Sequence, residues 1–253
     1  MNIYDLIEFP SKEKREDIRS KYPIFSLYKQ IPMNMLKKYE GVVVPCEFVE
    51  YEMTVGTWIN EYNHLLFFML IPLYHAIDLY RKMVEVDSST EIFGGLNVLF
   101  YHYSETVAFY MDSTFEKSTQ IFNSMFELKV EDKQGSFGKI IDEIKRGAKT
   151  NKIFNEVAIK FAEINKNQYY SDISYIRNKC THSIKVSHES LYDIYDQDTM
   201  ITTTCISKKI SPDEFLNTIF GAMQLLNDYT VFIESIIVKY YADLYEKFCS
   251  RHS

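Results

Sequence analysis

The run Arg177-Asn178-Lys179-Cys180-Thr181-His182 puts an arginine, an amide, a lysine and a histidine within six positions, and nowhere else do these types crowd so closely. Arginine offers a permanent, fork-shaped cation that matches phosphate oxygens, and histidine exchanges a proton near neutral pH. Together they suit cleavage of a phosphodiester without a metal. That reaction needs a proton removed from a ribose 2′-hydroxyl, another delivered to the leaving 5′-oxygen, and the phosphorane-like charge between them stabilised. His182 fits the proton steps, because an unperturbed histidine titrates near about 6.5. Arg177 fits the charge. Asn178 is placed to orient the histidine or the ribose, and Lys179 adds attraction to a phosphate backbone.

Spacing constrains this chemistry. Five residues along a straight helix turn through about 500°, so Arg177 and His182 point about 140° apart. Asn178 and His182, four apart, share a face. A complete site therefore needs a helix end, an interface between two chains, or both. Glu105 lies in an aromatic segment and is available to pair with Arg177, or to stay solvated. Tyr192 and Tyr195, just after the motif, are available to stack on bases or to pack. His64 and His75 lie eleven apart on one helix, about 16 Å of rise, too far to share a metal unaided. No HExxH, paired-cysteine, glycine-rich phosphate loop or GxSxG pattern occurs, so neither a metal nor a cofactor is expected.

The elements that must position these residues are mostly helical. Hydrophobic residues make up 46% of the 253, enough for a sizeable core and against disorder. Five of the six prolines fall at or before Pro72, so irregular structure is concentrated early. The net charge of −7 argues against a broad nucleic-acid-coating surface but leaves room for a small basic site. Cys46, Cys180, Cys205 and Cys249 show no close pairing and read, with no signal peptide, as reduced thiols in a cytoplasmic protein. The most apolar run, Leu65 to Ile71 and little beyond, is too short to cross a membrane.

Taken in order, Ser11 caps a charged helix over Lys12 to Lys21. Ile24 to Tyr39 reads as a second helical segment interrupted at Pro32, and Gly41 to Pro45 as at most a minor strand. Helical periodicity runs from Thr54 to Val86 with a kink at Pro72, and from Leu96 to Leu128, as an antiparallel pair. Shorter helices follow over Phe137 to Gly147 and from Lys152, the latter broken near Asn165 to Asn167, into Arg177 to His182. Residues 188–208 have β-like composition around Asp196-Gln197-Asp198 and read as a hairpin. Ser211-Pro212-Asp213-Glu214 is a capping box that starts the last long helix. The expectation is one domain over 1–253: an all-α bundle with a small β-hairpin inserted before the last helix, and an N-terminal extension over residues 1–50.

Arg177-Asn178-Lys179-Cys180-Thr181-His182 also matches the R-N-x-x-x-H form of the motif of HEPN-superfamily ribonucleases, and the chain resembles that superfamily in its all-helical bundle. The resemblance implies a metal-independent endoribonuclease, acting on RNA as a toxin or in antiviral defence. It implies a homodimer that brings two motifs together, and an antitoxin or other regulatory partner. Arg177 and His182 then carry over as catalytic residues and Asn178 as the polar position of the motif. The other reading is a catalytically inactive HEPN-like protein that binds a nucleotide or a partner.

Overall fold

The computed structural model describes residues 8–22, 25, 28–32, 46–131, 136–182, 191–196, 201–206 and 210–252, without side chains at 46–52, 136, 179–182, 191–196, 201–206 and 245–252. Its helices are α1 (Lys12–Lys21), α2 (Cys46–Glu85), α3 (Glu91–Met125), α4 (Ser136–Gly147), α5 (Lys152–Lys166), α6 (Gln168–His182) and α7 (Pro212–His252). Between α6 and α7, β1 (Leu191–Asp196) pairs antiparallel with β2 (Ile201–Ile206), Leu191 opposite Ile206 and Asp196 opposite Ile201.

Local chemistry sets the helix starts. Ser11 accepts the Lys14 N–H at 3.4 Å, and Thr90 accepts the Phe93 N–H at 3.2 Å. At α7, Ser211 Oγ accepts the Glu214 N–H at 3.3 Å while Glu214 accepts the Ser211 N–H at 2.9 Å, the reciprocal bonds of a capping box. Asn167 divides α5 from α6: its backbone is extended, and its side chain accepts the Tyr169 N–H at 2.9 Å. α3 begins before the expected Leu96 because Thr90 caps it ahead of Gly94 and Gly95. It stops at Met125, where Glu127 and Lys129 take left-handed backbone angles. α2 starts at Cys46 rather than Thr54 and continues through Pro72.

The helical reading of Ile24 to Tyr39 needs correction over residues 28–32, which are not helical. Asn63 on α2 explains this. Its Oδ1 accepts the Ile31 N–H at 2.9 Å and its amide donates to the Ile31 carbonyl at 2.8 Å, replacing both bonds a helix would supply. Pro32 disfavours helical angles at Ile31 as well. The expected strand over Gly41 to Pro45 lies outside the described residues.

α3 packs against α2, α4, α6 and α7. It lies antiparallel to α2, as Phe68 stacks on Tyr110 and His75 on Tyr103. It runs parallel to α7, with Tyr101 against Phe215 and Phe115 against Tyr229. The core is apolar and aromatic, and two pairs of its polar groups join α2 and α3 to α7. Tyr62 meets Thr230 at 2.8 Å, and Ser118 donates to Tyr229 at 2.9 Å. Burial pushes the phenols of both tyrosines upward, so they stay protonated.

Candidate functional site

Isoleucines 173 and 176 bury one face of α6, and the packing they impose aims Arg177 at α3. Tyr170 packs edge-on to Phe115, and Ser174 hydrogen-bonds Asp112, so α6 descends α3 in the antiparallel sense. Arg177 Nε stands 3.5 Å from Asp112 Oδ2, and one of its terminal nitrogens 3.5 Å from Glu116 Oε2. The other terminal nitrogen donates to Asn178 Oδ1 at 3.2 Å. Asp112 is 5% exposed, and the Arg177 side chain 26%. Long helical side chains lean toward the N-terminus of their helix, which accounts for Arg177 reaching back to Asp112 and Glu116.

Burial raises the Glu116 carboxyl above its ordinary value, and the neighbouring Asp112 charge raises it further. Arg177 and Lys117 oppose both. The Tyr170 phenol is pushed up to about 12, first by burial and then by Asp112. A half-buried guanidinium between two carboxylates is thus held in one orientation.

Sequence reasoning offered Glu105 either as a partner of Arg177 or as a solvated side chain. The acids seen beside Arg177 among the described residues are Asp112 and Glu116. Glu105 lies two turns earlier on the same line of α3, about 10 Å of rise from Asp112. Asp112 and Glu116 went unnoticed, although Glu105 and Asp112 at seven-residue spacing inside an aromatic helix were a visible signal that one face carries charge. Asn178 is exposed beside Arg177. Lys179 and His182 belong to α6, with His182 at its last described position; their side chains lie outside the described residues. The helix backbone keeps positions 177 and 182 about 140° apart. Tyr192 and Tyr195, opposite Cys205 and Thr202, also lie outside the described side chains, and three residues apart on one strand they fall on opposite faces.

His75 is enclosed by Phe9 and Tyr103. His64 meets Phe68, and His102 meets Tyr103. Among the described residues, no three His, Cys, Asp or Glu side chains converge to hold a metal ion. Nor is any described helix long and apolar enough to cross a membrane.

A family model described as HEPN_Cthe2314-like HEPN matches residues 58–236, from the first long helix through the motif helix and most of the last helix. No curated protein and no solved structure matches the chain.

Proposed function

The chain belongs to the HEPN_Cthe2314-like HEPN family, and on that premise we propose that it is a metal-independent endoribonuclease acting as a homodimer in a toxin or antiviral-defence setting. The observation that carries the reading is the motif arginine, oriented on α6 by Asp112 and Glu116 inside the matched bundle. Arg177 binds the scissile phosphate and stabilises charge as it develops in the transition state. His182 removes the 2′-hydroxyl proton and returns a proton to the 5′-oxygen, leaving a 2′,3′-cyclic phosphate and a free 5′-hydroxyl. Asn178, on the His182 face of α6, orients the imidazole or the ribose, and Lys179 attracts the backbone.

The divergence of positions 177 and 182 favours a site assembled from two chains. We read residues 1–253 as one domain, the strand pair as an insertion in its bundle, and a regulatory protein as the restraint on activity in the cytoplasm. A mixed RNA pool incubated in EDTA with parent and with His182→Ala tests the chemistry. Parent-only cleavage leaving cyclic phosphate ends is the expected result. Equal cleavage by the two proteins removes His182 from the mechanism, and cleavage by neither turns the reading to a catalytically inactive binding protein.

A further inference from the structure

Four aromatic rings run across the α2–α3 pair in one row. On α2, Phe67 meets Phe68 at a centroid distance of 5.9 Å. Phe68 crosses to Tyr110 of α3 at 6.5 Å, and Tyr110 meets Phe109 at 6.0 Å. Phe67 is 52% exposed, Phe68 46% and Phe109 44%, and Ile71, one turn on from Phe67, is 43% exposed. A contiguous apolar patch of this kind marks a surface that another molecule covers. The patch is also uncharged. Residues 62–77 of α2 include no acid, lysine or arginine. Over residues 92–115 of α3 the charged side chains are Glu105 and Asp112, both buried. Beside the row, a depression of about 240 Å³ opens between His102, Glu105, Thr106, Phe109 and Tyr110. That volume admits one aromatic ring, since an apolar cavity of about 150 Å³ holds benzene.

We propose that two copies of the chain meet through this face about a two-fold axis, with Phe67 of each copy seated in the depression of the other. The inference deepens the homodimer reading above and rests on it in taking a second copy as the occupant. Three features single out that occupant. The ridge on α2 and the depression on α3 share one face, as a two-fold contact requires, where residue i meets j and j meets i. A net charge of −7 makes two copies repel across most of their surface, and they approach with least repulsion where the surface is uncharged and aromatic. Phe109 also precedes Asp112, the anchor of Arg177, by three residues, about 4.5 Å along α3. Contact through this face therefore brings the Arg177 of each copy to the margin of one interface, as a site shared between chains needs. A phosphate backbone or an anionic membrane would find no cation on the row to hold it.

The test is sedimentation velocity of the full-length chain at micromolar concentration, comparing the parent with Phe67→Glu and Phe109→Lys. The parent should sediment near twice the 29.9 kDa of one chain. Each variant, its helix content intact by circular dichroism, should sediment as one chain, the dissociation constant raised about 30-fold or more. An equal mixture of the two variants should recover the dimer, because one contact then pairs a carboxylate with an ammonium and the other is unaltered. No recovery overturns the reciprocal seating. Val238→Glu, at an exposed position of α7, should leave the parent mass unchanged. Dimers that survive both substitutions overturn the proposal, move the interface elsewhere and leave the nuclease reading standing. A parent of single-chain mass overturns it as well, and flotation of that monomer with phosphatidylcholine vesicles would give the face to a lipid surface. If either variant fails to fold, hydrogen exchange of the parent decides: residues 64–71 and 102–110 should gain protection as concentration rises, and unchanged protection overturns the proposal. Monomeric variants that cut RNA as fast as the parent uphold the face and remove the shared-site reading.

Discussion

Arg177 divides its charge between a nearly buried aspartate and a half-exposed glutamate, and the two acids have different roles. Asp112 also receives the Ser174 hydroxyl and ties α6 to α3. Asp112→Ala should therefore cost about 2 kcal/mol of stability, read from the urea midpoint, because Ser174 and Arg177 both lose a partner. Glu116→Gln should cost far less, since that carboxyl already resists ionisation. His75 gives a pH dependence of definite sign. Burial lowers its pKa in the folded protein, ahead of the opposing pull of Asp78. The unfolded chain takes up a proton as pH falls through about 6.5 while the folded protein resists it, so stability should decline from there downward. Urea midpoints between about pH 7 and 5 should show this decline, and His75→Phe should flatten it; an equal slope in the variant would assign the effect elsewhere. At this scale Arg177 stood out because arginine, amide, lysine and histidine are rare together within six positions. Its contact with Asp112 was not legible, because an acid in an aromatic helix gives no sign of which distant residue it meets.

The long helices were legible as elements because apolar residues recur every three or four positions, and the capping box at Ser211 fixed the start of α7 in advance. Their ends were not, since caps such as Thr90 lie outside the apolar stripe and act through single hydrogen bonds. The larger miss, residues 28–32, has a tertiary cause. Asn63 takes both backbone groups of Ile31 from across the chain, and no local pattern reports a bond spanning 32 residues. Asn63→Ala should release that segment. About 2 kcal/mol of lost stability and new proteolytic cleavage around Lys29 are expected, whereas an unchanged digestion pattern would show that Tyr28 and Ile31 hold by packing alone. Ser211→Ala should cost about 1 kcal/mol through the cap, seen in thermal melts.

On the scale of the whole molecule, the helical phase between Arg177 and His182 separates two arrangements of the site. If each chain supplies one half, Arg177→Ala and His182→Ala proteins, each inactive alone, should regain RNA cleavage when refolded together. Recovery requires association, so light scattering of the parent should give a mass near twice the 29.9 kDa of one chain. A single-chain mass with full activity would place both groups within one copy. The bundle itself was readable from composition and periodicity. The meeting of α6 and α3 was not, because packing direction depends on side chains from several elements at once. That direction has a further bearing on how such a protein can diversify. α6 descends α3, whereas α7 ascends it from Ile210, whose carbonyl accepts a hydrogen bond from Tyr101. The chain thus leaves and rejoins the bundle at the same end. A lineage can lengthen, shorten or exchange the stretch between His182 and Ile210 as a module, with no helix needing a new neighbour, which makes it the natural place for related proteins to differ.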